Sequence, residues 1–529
     1  MSETVEGEGG MVVAPHRAAA EAGAEVLRAG GNALEAAIAA AATIAVVYPH
    51  MNSIGGDCFA LISEPGRPPR AVMASGGAGV LATRARYEAK GYDAVPERGP
   101  DAALTVAGAV SGWQLLHEIS AALGGRMSRR DLLLDAMTRA KEGFAVSRSQ
   151  ARLTQENLDA LKGVFGFAQQ FLVDGEAPAE GDIIRQTRLG DTLDQLARAG
   201  FQDFYRGDVA AEIAADLEEA GSPVTRACLR NHEARLVKPL TVRLADCELF
   251  NTPPPTQGLT SLMILGIFDR LGVKRGESFE HIHGLVEATK RAFVVREAAI
   301  TDPAHGEDVA PFLDPSFLAD EAEAIDMKRA SPQGPASVKG DTIWLGVVDR
   351  AGRGVSLIQS IFWEFGSGVV LPKTGIVWQN RGVSFSLDPK ARNPLMPGRK
   401  PFHTLNPPIA RFDDGRLLVY GSMGGDGQPQ FQAQIFTRHA RFGMSPGDAI
   451  DAPRFLNGTT WGRRGPGLKL ESRFDPDVVL GLERAGHPVT VMAEPYLDLM
   501  GHAGMVLRRR DGRVLGAADR RADGAAVVG

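Results

Sequence analysis

The sequence predicts an α/β fold in which helical layers pack on β-sheet. Three observations point there. The first half carries apolar residues at helical spacing. The chain turns rich in β-branched and aromatic residues after about position 330. Asp414-Gly415 and Asp511-Gly512 each sit between apolar runs. Helical spacing buries one stripe of each helix, and an Asp-Gly pair supplies the positive φ that a tight hairpin needs. Helices early and paired strands late suit helix packed on sheet.

The elements follow in order. Residues 15–29 read as a helix that stops at Gly30-Gly31, and Asn32 can cap a second helix to about Val47. The run 36–47 is too short and too alanine-rich for a membrane span, so it reads as a buried core helix. Gly55-Gly56 precedes a strand at 58–62. Further helices are expected at 111–123, 189–199, 209–220 and 279–299. Residues 240–250 alternate like one strand before Pro253-Pro254-Pro255. Residues 330–336 are a loop by composition, and strands are expected at 342–348, 354–361 and 375–378.

Composition excludes several classes of function. The 529 residues carry 58 Lys+Arg against 64 Asp+Glu, a net charge of −6. The basic runs at 126–130 and 508–510 are short, so no nucleic-acid partner is expected. Cys58, Cys228 and Cys247 are odd in number and far apart. That argues against a disulfide framework and fits a reducing compartment. Acidic residues open the chain where a secretory leader needs bases, so a cytoplasmic protein without a membrane partner is expected. No phosphate-binding loop, G-x-S-x-G or H-E-x-x-H occurs. His281 and His283 stand two apart at a helix start and do not share a helix face, so no metal and no cofactor is expected.

What remains is a threonine. In Gly340-Asp-Thr-Ile-Trp-Leu-Gly-Val-Val-Asp349, Thr342 lies where a loop enters a strand. A threonine hydroxyl is a poor nucleophile without an adjacent base. A cut between Asp341 and Thr342 would let the threonine's own α-amine serve as that base. Taken alone, a threonine at a strand start is a structural residue.

The surrounding residues change that reading. Val12-Val-Ala-Pro-His-Arg17, Gly30-Gly-Asn-Ala33, Gly55-Gly56, Thr105-Val-Ala-Gly108, Phe204-Tyr-Arg-Gly207 and Pro253-Pro-Pro-Thr-Gln-Gly258 occur in order. The Thr342 strand, Gly421-Ser-Met-Gly-Gly425, Ala452-Pro-Arg-Phe455 and Gly516-Ala-Ala-Asp-Arg520 follow. This series resembles the γ-glutamyltransferase family of N-terminal-nucleophile hydrolases over nearly the whole chain. The resemblance implies a four-layer αββα sandwich. It implies a precursor that cuts itself before Thr342 into intertwined chains, 1–341 and 342–529. These form a heterodimer, with a dimer of heterodimers as the alternative assembly. It makes Thr342 the nucleophile, Ser360 its hydroxyl partner, and Gly424 and Gly425 the backbone donors to a developing oxyanion.

The departures from that family are as informative. The arginine that holds a glutamyl α-carboxylate is replaced by Ser75, and the acid that holds the α-amine by Ser384. The asparagine two residues past the hydroxyl partner is Phe362. The tandem serines before the S-P segment are His403 and Thr404. Arg381 stands in the same wall and offers a fixed fork to a carboxylate. One cation with no opposing acid predicts a short anionic substrate. The pattern is similar to the oxamate amidohydrolase branch, which acts in purine nitrogen breakdown. The alternatives are γ-glutamyl transfer or glutathione hydrolysis, removal of an acidic acyl chain from a β-lactam, and an uncleaved binding protein. Acceptor assays and a denaturing gel separate these.

Overall fold

The computed structural model describes residues 2–332, 341–458 and 467–529. The loop expected at 330–336 lies largely outside these residues, as does Gly340. Two seven-stranded sheets form the centre. One runs Ala525–Val528, Gly10–Ala14, Asp341–Asp349, Gly354–Phe362, Asp57–Ser63, Arg70–Ala74 and Arg235–Val237. The other runs Val5–Gly7, Val514–Ala518, Ala503–Arg508, Leu417–Ser422, Ile409–Phe412, Cys247–Asn251 and Leu240–Arg243. Neighbours within each sheet are antiparallel. Both sheets draw strands from either side of position 342, so a cut there leaves interleaved chains.

Helices cover both outer faces. Arg17–Arg28, Ala33–Val47, Ala109–Ala122 and Arg129–Glu142 share a core with the outer face of the first sheet. Gly258–Arg270, Phe279–Ala299 and Gln428–Ala440 do so on the second. The result is four layers, αββα, as the sequence predicts. Every residue of Ala33–Val47 is buried, and its alanines let neighbouring layers approach closely. Asn32 accepts from the amides of Leu34 and Glu35 at 3.0 and 3.1 Å, while Glu35 bonds back to the Asn32 amide at 2.8 Å. These bonds satisfy donors the helix start leaves open.

The sheets meet over Phe59, Met73, Trp344, Ile358, Val419 and Val506. Trp344, two residues beyond Thr342, needs glycine around it. A Cβ at Gly421 would lie 2.2 Å from its Cδ1, and one at Gly504 would lie 2.4 Å from its Cζ3. Gly421→Ala should therefore cost about 1–3 kcal/mol by overpacking, read as a lower Tm. An unchanged Tm would show that the indole can move aside.

Two strand expectations are corrected. Residues 240–250 form a hairpin, Leu240–Arg243 with Cys247–Asn251, because the alternation continues across a turn that contains no glycine. Residues 375–378 make only isolated bridges, Val370 to Val377 and Gly55 to Trp378. Their apolar character reflects burial, not a ladder. Both Asp-Gly hairpins form as expected, with Gly415 at φ +91 and Gly512 at φ +90.

Candidate active site

Strand alternation assembles the site. Trp344, Ile358, Phe59 and Met73 face the opposite sheet. Thr342, Ser360, Asp57 and Ser75 lie two positions away from them along four adjacent strands, on the same face at the end of the sandwich. Ser360 pairs directly with Asp57, and Cys58 with Ala74, which sets Ser75 beside Asp57. All four are buried. The register shifts between Asp341, paired with Phe362, and Ile343, paired with Gln359. Ser360 and Ile361 thus oppose the single residue Thr342. This is a bulge, the device that re-aims side chains beside reactive groups, and it lies at the expected cleavage site Asp341–Thr342.

Side chains and two backbone groups close a circuit. The Thr342 hydroxyl donates to Ser360 Oγ at 3.3 Å and accepts from Gln428 Nε2 at 3.4 Å. Gln428 Oε1 accepts from Asn406 Nδ2 at 3.2 Å, and the same nitrogen lies 3.2 Å from the Thr404 carbonyl. Thr404 Oγ1 accepts from Arg381 Nη1 at 3.4 Å. The guanidinium stacks 3.8 Å from the centre of the Phe362 ring. The Phe362 amide returns to Ser360 Oγ at 2.8 Å. Phe362 has φ +84, a region costly for a bulky side chain. Its ring is held in place under Arg381 against that cost.

Arg381 heads the short helix Arg381–Ser384 and is 1% exposed. Among the described residues it has no ion pair within 4.0 Å, and Nη2 has no hydrogen-bond partner. Burial works against its charge, which Asp57 first and Asp426 second favour. A buried cation so placed has no anion in direct contact. His403 is buried edge-on to Phe59, and burial, aided by Arg381 and Lys400, holds its imidazole neutral. Ser384 closes the Arg381 turn partly exposed, with no hydrogen bond from Oγ, apart from the circuit. The Ser75 hydroxyl likewise has no partner.

Gly424 and Gly425 lie between Leu417–Ser422 and Gln428–Ala440 at φ +122 and +53, conformations that favour glycine. A Cβ at Gly424 would meet Phe431 at 2.7 Å. Gln257 Nε2 donates to the carbonyls of Thr404 and Gly425 at 2.7 and 2.9 Å, and so ties the loop to the Arg381 wall. Arg296, ion-paired with Asp426 at 3.0 Å, also donates to Gln257 Oε1 at 3.3 Å.

One expectation is overturned. The pocket does contain an acid opposite Arg381: Asp57, whose Oδ2 lies 3.4 Å from His403 Nε2. Its Oδ1 accepts from the amides of Gly108 and Gly76 at 3.0 and 3.3 Å. Burial pushes the carboxyl up to about 7, against Arg381, Gln379 and these amides. Gln428 and Asn406 have no signature in the sequence, and Gln257 stands in the 253–258 stretch without a role, since neutral amides do not announce their partners. His281 and His283 separate as predicted: His281 contacts Thr437 at 2.9 Å, and His283 contacts His487 at 2.8 Å. Glu287 joins the latter pair, within ion-pairing distance of Lys290 at 2.7 Å.

Comparison with known proteins fits this geometry. The profile of the family described as gamma-glutamyltranspeptidase matches residues 19–529. The chain is 50% identical over 520 residues to an oxamate amidohydrolase proenzyme of Klebsiella pneumoniae subsp. pneumoniae, covering 98% of each. It is 39% identical to a glutathione hydrolase-like proenzyme of Bacillus subtilis, covering 100% of both. Among solved structures, a cephalosporin acylase from Bacillus halodurans matches with a TM-score of 0.91 at 31% identity, over 100% of this chain and 97% of that one.

Proposed function

The chain belongs to the gamma-glutamyltranspeptidase family of amide-bond hydrolases, and on that premise we propose that it is a threonine amidohydrolase that matures by its own cleavage and hydrolyses oxamate to oxalate and ammonia. Maturation begins when the Thr342 hydroxyl attacks the Asp341 carbonyl. The acyl group moves from nitrogen to oxygen, and water hydrolyses the ester, leaving chains 1–341 and 342–529. The freed α-amine then takes the hydroxyl proton as Thr342 attacks the substrate amide. Ser360 orients that hydroxyl, and the amides of Gly424 and Gly425 take the oxyanion. Ammonia leaves, and water releases the acyl group. Neither a metal nor another cofactor enters this scheme. The three cysteines are unpaired, and no described helix is long and apolar enough to cross a membrane; we place the enzyme in the cytoplasm, in nitrogen breakdown.

One observation carries the substrate reading. The circuit from Thr342 through Gln428, Asn406, Thr404, Arg381 and Phe362 to Ser360 closes on itself with one residue per step, through the backbone at the Thr404 carbonyl and the Phe362 amide. This linkage of Arg381 to Thr342 supports a substrate whose carboxylate and reacting carbonyl lie close together in one small molecule.

Asp57 favours a second reading, since a cation and an acid together suit an amino acid end, as in γ-glutamyl transfer. Two release assays decide, ammonia from oxamate and p-nitroaniline from the anilide. Oxamate should be turned over at least tenfold faster, by kcat/KM, than γ-glutamyl-p-nitroanilide is, with or without glycylglycine as acceptor. A preference for the anilide defeats the oxamate reading and supports the transferase.

A further inference from the structure

Asp57 is a buried acid that the chemistry above does not use. It sits on the strand beside Ser360, as its direct cross-strand partner. Two backbone amides fix Oδ1. Oδ2 has no hydrogen-bond partner and lies 3.4 Å from His403 Nε2, and the His403 nitrogens, Arg381 Nη2 and the Ser75 hydroxyl are unsatisfied as well. Asp57, His403 and Arg381, buried groups from three segments, lie in one pocket with hydrogen bonds left unmade. That is the arrangement of a site whose last hydrogen bonds are made to a ligand.

Resting on the small-anion reading, we propose that Asp57 is the resident counter-ion of Arg381, and that a substrate carboxylate replaces it by binding together with one proton, which Asp57 keeps. The charge balances on both sides. Before binding, guanidinium and Asp57 carboxylate sum to zero. Afterwards, guanidinium and substrate carboxylate sum to zero, and Asp57 is neutral. Without the proton, two carboxylates would face one guanidinium in a dry pocket, which like-charge repulsion disfavours. A protonated Asp57 also gains a donor, its O–H, for the bound anion or for His403.

The other groups around Asp57 do not supply this proton in its place. Burial holds His403 neutral and lowers Lys400. Cys58 and Tyr205, which also sense its charge, are pushed up by burial and stay neutral. Asp426 favours the Arg381 charge and is itself paired with Arg296. The matured Thr342 amine titrates near ~7.7–8.0 and acts on kcat, not on the carboxylate end of the pocket.

The sign is definite. Below about pH 7 Asp57 already holds its proton, and anion affinity is flat. Above that, each pH unit weakens binding by about tenfold, because the complex must take up a proton. The experiment measures inhibition of the mature enzyme by propanoate between pH 6 and pH 9. The expected result is a Ki that rises about tenfold per unit above neutrality in the parent and stays flat in Asp57→Asn, which binds propanoate more tightly than the parent at pH 9. Asparagine keeps an oxygen for the two amides, so the fold is retained. If that variant does not mature, calorimetry on the parent in two buffers of different ionisation enthalpy still decides, with close to one proton taken up per propanoate expected above neutrality. A flat Ki in the parent, the same slope in Asp57→Asn, or binding without proton uptake overturns the proposal. If oxamate is not hydrolysed while propanoate binds with its proton, the substrate reading fails and this one stands.

Discussion

Thr342→Ala should yield a single uncut chain with no amidohydrolase activity. The parent should run as two chains, the smaller beginning Thr342-Ile-Trp-Leu. Two separate steps are lost in the variant. Alanine has no oxygen to attack the Asp341 carbonyl, so the peptide bond at the bulge persists. The uncut chain then has no α-amine at position 342, so even an added nucleophile would lack its base. Activity should fall to background, since removing a catalytic nucleophile in a comparable hydrolase costs on the order of 10⁶-fold in kcat. Thr342→Ser keeps the oxygen and should still mature. In the parent, kcat should rise with pH about a midpoint near ~7.7–8.0, as the free amine loses its proton. N-terminal sequencing that finds another start, or a two-chain Thr342→Ala protein, would remove Thr342 from both roles.

How much of this was legible in the sequence follows from the kind of signal each residue leaves. Asn32 followed by Glu35, before an apolar run, is a local capping pattern, and the helix Ala33–Val47 begins there. Asp414-Gly415 and Asp511-Gly512 demand positive φ, and both hairpins turn on them. The hairpin inside 240–250 has no such residue, and its turn could not be seen. Thr342, Ser360 and the Gly424-Gly425 loop could be found because each lies in a recognisable stretch. Asp57 directly follows the Gly55-Gly56 pair and carries no role in the sequence reading. Its meaning depends on sheet register: pairing with Ser360 across two strands distant in sequence makes it a pocket residue. Long-range pairing of this kind leaves no local pattern. Phe362 reads in the sequence only as the replacement of a family asparagine. Its positive φ and its stack under Arg381 are tertiary facts that no spacing records.

Arg381→Ala should lower kcat/KM for oxamate at least tenfold, with most of the loss in KM. The guanidinium is buried, stacked on Phe362 and without an ion pair among the described residues, so a substrate carboxylate is its natural complement. Truncating one member of a desolvated charge pair costs about 2–5 kcal/mol, because the other charge is left buried and unpaired. Asp57 divides that cost. In the variant it has no cation to balance and should hold its proton to higher pH, since Arg381 is the largest influence opposing its burial. The neutral pocket then resists an anion less than a pocket holding a bare carboxylate would. The loss should accordingly be steeper at pH 6, where the parent binds best, than at pH 9, where parental binding is already weakened. Arg381→Lys should recover only part of the affinity, because an ammonium lacks the planar fork and the flat face that stacks on the Phe362 ring. Equal kcat/KM for Arg381→Ala and the parent would show that the carboxylate is held elsewhere, and the small-anion assignment would fall with it.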